Sequence, residues 1–346
     1  MVVQAGKSSY RFLLKILISA VILAILFYKI PLNEILNALN RAEPGLIFLC
    51  VIFYLIIVYL ISFQTKYLTK VQNISVSIFQ LIKINLITKF YSLFLPGTIS
   101  GNIVRWYKLS KYGDKTKSAA VVLFSRYLET FMLLYIGTIF FISFLIIKKE
   151  YLYTLLLLAG LIILVLSYIL LLNPKALNFC AGVIKKIPLP KSVYNFSEKF
   201  FEAMNKFQEL TLSDHFKILL IVFTSHFISV LIYFMLSKSL NLNIGFIDIA
   251  WIRSASVLIS MIPVSFAGLG LREGSFLILL GNYGISPTDS VALSFLIFFL
   301  LVFISLWGGV VELADFFSLK RENISDEIPS GKNLQIGISK TEEYKI

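Results

Sequence analysis

Two stretches of an otherwise apolar chain combine Pro, Gly and Arg at matching spacing. The first reads Leu95-Pro96-Gly97-Thr98-Ile99-Ser100-Gly101-Asn102-Ile103-Val104-Arg105. The second reads Ile262-Pro263-Val264-Ser265-Phe266-Ala267-Gly268-Leu269-Gly270-Leu271-Arg272, followed by Glu273. In both, Gly stands five residues after Pro and Arg nine after it. Pro ends a helix by removing a donor and Gly lets the backbone turn, so the next helix starts with free peptide N–H groups. Such a start attracts anions, and an Arg one turn further adds full charge and a two-pronged donor. The candidate ligand-binding set is therefore Pro96, Gly97, Ser100, Gly101, Asn102 and Arg105 at the first break. At the second it is Pro263, Ser265, Gly268, Gly270, Arg272 and Glu273. Each cation has a bland competitor: Arg105 as a headgroup anchor beside Trp106, Lys108 and Lys111, and Arg272 as half of a structural ion pair with Glu273.

Arg126 and Glu129 join the set. They lie three apart on one helical face, inside an apolar run where a lone charge costs about 2.5–3.5 kcal/mol on insertion scales. Mutual neutralisation near the membrane edge is the alternative. His226 reads as a helix–helix hydrogen bond before it reads as a proton relay. Glu312 and Asp315 close the last apolar run and fit an interface marker, and Tyr91 is a weaker ligand donor. Catalysis finds little support. The only histidines are His215 and His226, there is no Asp-x-Asp pair and no His-Glu-x-x-His, and Gly268-Leu269-Gly270 sits in no strand–turn–helix unit. No cofactor and no metal are expected, and no catalytic residue is assigned.

The elements that would position these residues follow from composition. Of 346 residues 58% are apolar and 15% charged, which excludes a water-soluble domain, and 31 Phe with 17 Tyr exclude disorder over most of the length. Cys50 and Cys180 are too few for a disulfide framework and read as inert thiols. Runs long enough to cross about 30 Å of hydrocarbon lie at 12–30, 46–63, 119–147, 151–172, 216–236 and 289–313. The interrupted segments are 76–111 and 244–283. The expected fold is thus an all-α polytopic integral membrane protein, with about six full spans plus two broken, re-entrant hairpins, eight apolar segments in all.

The net charge of +13 could suggest nucleic-acid binding, but it concentrates where a topology signal would. Segment 65–117 holds nine basic residues against Asp114 alone, and 173–217 holds seven against four acids. Placing both inside puts both termini in the cytoplasm and opens the two broken segments to opposite sides. An inverted repeat of 46–147 and 216–313 follows, the arrangement of many secondary transporters. Segment 191–215 spaces apolar residues as an amphipathic helix, lying on the membrane surface or packed on the bundle. The polar tail, 319–346, is expected to be unstructured, most plainly after 322. Sequons at Asn73, Asn195 and Asn323 all fall on the inner side and read as chance matches.

The two Pro-Gly-Arg motifs, with Ser125-Arg126-Tyr127-Leu128-Glu129 between them, resemble the flippase-like family, the transmembrane region of lysylphosphatidylglycerol synthases, over roughly 10–318. The resemblance implies a polytopic inner-membrane protein. Its best-understood relatives move charged phospholipids between leaflets, and others serve glycolipid or polysaccharide pathways. Two departures stand out. The synthases' soluble aminoacyl-transferase domain has no counterpart after the membrane region, and Asn102 stands where many relatives carry an acid. The leading expectation is a flippase or transporter for a charged-headgroup amphiphile, phospholipid or polyprenyl-linked, with anionic or phosphate-bearing membrane lipids as partners and no nucleic acid. A lipid-modifying, glycosyltransferase-like enzyme and an accessory membrane subunit are the alternatives.

Overall fold

A computed structural model describes residues 28, 32–94, 100–185, 190–262, 264, 265 and 268–327. The expected first span at 12–30, the positions Pro96, Gly97 and Pro263, and the tail beyond 327 lie outside the described residues, as does the side chain of Ser100. Among the described residues there are twelve α-helices and no strand. They are α1 (Leu32–Asn40), α2 (Pro44–Val71), α3 (Ile78–Phe94), α4 (Ser100–Leu109), α5 (Lys115–Ile147), α6 (Tyr151–Leu171), α7 (Pro174–Lys185), α8 (Lys191–Asn205), α9 (Leu212–Ser239), α10 (Phe246–Met261), α11 (Leu271–Gly281) and α12 (Pro287–Glu327). Five of them, α2, α5, α6, α9 and α12, are long and apolar enough to cross a bilayer.

The broken segments have the expected form, α3 with α4 and α10 with α11. Helices α2 and α9 are both 28 residues long and start 168 positions apart, at 44 and 212. The shift holds in detail. Cys50, Leu68 and Thr69 are buried, and so are Ile218, Leu236 and Ser237. Asn73 and Asn241 both take a left-handed backbone (φ 56° and 57°) just past the helix ends. There the main-chain N–H groups of Ile74 and Leu242 reach back to the carbonyls of Thr69 and Ser237. Packing follows the same exchange: α3 lies on α12 as α10 lies on α5, and α2 pairs with α9. That central pair is antiparallel, because the Glu43 N–H at the start of α2 donates to the Ser239 carbonyl at the end of α9 (3.1 Å). The halves therefore point in opposite directions.

Apolar helices gain little from burying surface against one another in lipid, so close approach has to come from small residues. A Cβ on Gly308 would lie 2.0 Å from the Leu86 carbonyl oxygen, and one on Gly137 would lie 2.6 Å from Ser254 Cβ. Those two contacts are the α12–α3 and α5–α10 crossings. The apolar core divides accordingly. One cluster joins Cys50 and Ile57 to Ile232, Leu236, Ile252, Phe276 and Val291. The other joins Leu68, Leu81, Leu128 and Phe207 to Ile218 and Val222. Polar side chains lie between them.

Three expectations need correction. The amphipathic segment does not run as one helix to 215. It stops at Asn205, passes through a 3-10 turn (Lys206–Glu209), and gives way to α9, because Thr211 and Asp214 form a capping box that starts a new helix. It packs on the bundle, with Phe207 stacked on Phe124 at 4.5 Å. The tail is not irregular from 319. Helix α12 continues to Glu327, since nothing before Pro329 breaks it and the residue preceding a proline disfavours helix. Helices α1 and α7 fall in stretches read only as connections.

Candidate functional site

Glycine closes each hairpin. A Cβ on Gly101 would fall 2.0 Å from Ser92 Oγ, so α4 lies directly against α3 there. A Cβ on Gly268 would fall 3.0 Å from Ser260 Cβ, and Ser260 is Ser92 shifted by 168. Gly268 and Gly270 also take positive φ (75° and 84°), which L side chains rarely adopt. The glycine thus sets where the returning chain touches the first helix, from within α4 in the first hairpin and from the turn before α11 in the second.

The two arginines meet different fates. Arg272 is buried and charge-paired: its guanidinium pairs with Glu273, its Nε donates to Ser294 Oγ (3.1 Å), and its face covers the Phe298 ring at 4.8 Å. Glu273, fully buried, also accepts from the Gly270 N–H (2.6 Å) and from Ser294 Oγ (3.2 Å). That carboxylate caps α11 and neutralises its neighbour, a closed structural unit. Nearby, the Ser265 hydroxyl is buried with no partner among the described residues.

Arg105, only 4% exposed, is less well served. One Nη is 3.4 Å from Glu129 Oε1, the other donates to Thr65 Oγ1, and Nε has no partner among the described residues. Glu129 is divided further, being 3.6 Å from Arg126 and accepting from Ser125 Oγ (3.3 Å). These groups line a cavity of about 150 Å³ with Gly101, Asn102, Asn85, Thr88, Lys89 and Ser92, while Val58 and Ile61 supply an apolar wall. Val58 and Ile61 lie in the last third of the apolar run 46–63 of α2, so the cavity lies within the apolar part of the bundle, towards the basic end of that helix.

Of the sequence-derived candidates, Gly101, Asn102, Arg105, Arg126 and Glu129 therefore converge on one cavity. Gly268, Gly270, Arg272 and Glu273 form a separate, closed cluster. Tyr91 points elsewhere, donating to Glu312 (3.2 Å) in a second cavity of about 310 Å³, where Lys108 also pairs with Glu312. Asp315 pairs with Lys83 (2.8 Å), so both acids tie α12 to the first hairpin.

Sequence reasoning missed Lys89 and Arg253. Lys89 was counted only as part of the basic segment 65–117. Arg253 is a lone cation in the apolar run of α10, a signal that the low net charge of 244–283 hid. It is 5% exposed, and among the described residues no carboxylate lies within ion-pair reach. Its contacts are Ser229 Oγ (3.2 Å), His226 Nδ1 (3.3 and 3.4 Å) and the face of Tyr233 at 5.9 Å. His226 is thus a helix–helix contact, as expected, and it also borders Arg126 and the main chain of Glu129.

The profile of the lysylphosphatidylglycerol synthase transmembrane region matches residues 12–308. The chain belongs to that family. It is similar to a UPF0104 membrane protein of Methanothermobacter thermautotrophicus, 23% identical over 331 residues, covering 90% of this chain and 98% of the relative. A UPF0104 membrane protein of Pyrococcus horikoshii is 25% identical over 283 residues, 75% of this chain and 84% of the relative. With the family and five apolar helices together, this is a multi-pass membrane protein. The family match spans both hairpins and every candidate residue.

Proposed function

We propose that this protein moves an amphiphile with a charged, phosphate-bearing headgroup across the cytoplasmic membrane, with both termini in the cytoplasm. The amphiphile is a phospholipid or a polyprenyl-linked lipid. The observation that carries the reading is the cavity at the first break. It lies within the apolar part of the bundle and is walled by Lys89, Arg105 and Arg126 against the single carboxylate of Glu129. Buried charge there is costly and marks substrate paths. The inverted halves supply the means, since alternating access rocks one repeat against the other around a fixed central site. Ion pairs Lys83–Asp315 and Lys108–Glu312 tie hairpin one to α12 at one crossing, whereas Phe141, Phe144 and Trp251 fill the other. The ion-paired crossing is the one that can exchange partners for water as it opens. The reading is transport without chemistry on the lipid.

The test is movement of a labelled phospholipid between leaflets of vesicles containing the purified protein. Arg105→Gln is expected to slow it by about tenfold or more, an effect of about 1.4 kcal/mol per decade. Unchanged movement would remove Arg105 from the path. Formation of a new lipid product from a nucleotide sugar would favour an enzyme instead.

A further inference from the structure

We propose that the headgroup bound at the first break is a terminal phosphate monoester, small and carrying two negative charges, rather than a phosphodiester. The inference deepens the transport reading and rests on it for the cavity's role.

Charge is the first argument. Lys89, Arg105 and Arg126 face one carboxylate, Glu129, leaving the wall two positive charges in excess. Behind it stands Arg253, which touches only neutral groups and borders the wall through His226. Lys89, which donates to the Tyr54 hydroxyl (3.0 Å), and Arg126 are partly exposed, but Arg105 and Arg253 are buried, and buried cations short of counter-charge are unfavourable, so the arrangement calls for an anion of matching charge. A phosphodiester brings one negative charge, whereas a monoester carries about −1.5 to −2 near neutral pH.

Size is the second. A cavity of about 150 Å³ takes a group of about six heavy atoms, the volume at which an engineered pocket binds benzene. A terminal phosphate has roughly that many and fills the cavity, whereas a glycerol or an amino acid beyond the phosphate has to extend out of its open side. Donor geometry is the third. Arg105 lines the cavity, its Nε is buried and unpartnered among the described residues, and a guanidinium offers phosphate two parallel donors. At the second break the charge is already met, because Arg272 has the carboxylate of Glu273 beside it and gives its Nε to Ser294.

The probes are short-chain phosphatidic acid, short-chain phosphatidylglycerol and inorganic phosphate, titrated against the full-length protein at pH 7.5 with binding read by calorimetry. Phosphatidic acid is expected to bind about tenfold tighter than phosphatidylglycerol. Arg253→Gln, which removes a charge without altering the wall, and Asn102→Asp, which adds an opposing charge to it, should each weaken phosphatidic acid by about fivefold or more while the circular dichroism spectrum is unchanged. Asn102→Asp keeps the inference testable if Arg253→Gln does not fold. Equal affinity for the two lipids overturns the proposal, as does indifference to Asn102→Asp. Inorganic phosphate binding as tightly as phosphatidic acid would make the ligand free phosphate and overturn the lipid class. The vesicle assay separates the two readings. Selective binding of phosphatidic acid without movement sinks transport and leaves the headgroup standing. Equal movement of both lipids sinks the headgroup and leaves transport.

Discussion

At the first break Arg105 shares its carboxylate with Arg126 across two helices, lines a cavity and leaves one buried nitrogen without a partner among the described residues. At the second, Arg272 has its carboxylate on the adjacent residue, sealed by Ser294 and Phe298. The backbone plan is common to both: a helix, a break, and a glycine that lets the returning chain touch the first helix. What differs is where the acid sits. Moving it from the helix's own first turn (Glu273) to a neighbouring span (Glu129) turns a cap into one wall of a pocket. A repeated fold thus yields one rigid half-site and one that can take a ligand.

The comparison is most easily broken at Glu273. Glu273→Gln removes the charge that neutralises a buried guanidinium and should cost about 3–5 kcal/mol of stability, read as loss of folded protein in a denaturation series. Glu129→Gln should cost less, because Glu129 and Arg126 are partly exposed (19% and 32%) whereas Glu273 is fully buried. Equal losses would mean that both acids are structural. The glycines come next. Gly268→Ala forces a left-handed alanine and should destabilise by about 1–3 kcal/mol. Gly101→Ala meets chiefly the hydroxyl tip of Ser92, with Thr88 Cγ2 at 3.3 Å the next contact, so Ser92→Ala in the same chain should restore most of what Gly101→Ala loses. Glu129→Gln should also tighten anion binding a few-fold, by about 1 kcal/mol, since it deletes the only opposing charge in the wall. The smallest effect lies just past hairpin one. Asp114 caps α5 by accepting from the Lys117 and Thr116 main-chain N–H groups, chiefly the former, which holds its carboxyl below the usual range. With the folded value depressed, its contribution is present above the unfolded value and fades as pH falls through the folded one. Asp114→Ala should cost about 1 kcal/mol at pH 7 and less in acid.

Much of this was legible in the sequence because bilayer physics leaves few choices. Pro, Gly and buried Arg in apolar runs had to mark breaks, and the basic segments had to share a side. The matched Pro–Gly–Arg spacing located both hairpins. It could not say which arginine was free, since that depends on Glu129 reaching across from α5 and on Ser294 arriving from α12. Arg253 escaped for another reason: its partners, Ser229 and His226, lie on α9, so its isolation shows only after folding. Amphipathicity located α8 but not its end, which the Thr211–Asp214 cap decides.

The shift of 168 residues places Asn85 and Arg253 at one and the same position of the two halves. Were the halves separate, identical chains assembled as a pair, that position would have to be asparagine twice or arginine twice. Covalent joining lifts the constraint. One half can then lend its charge to the pocket of the other, and binding strength can be tuned at a place that no symmetric dimer could change on one side only.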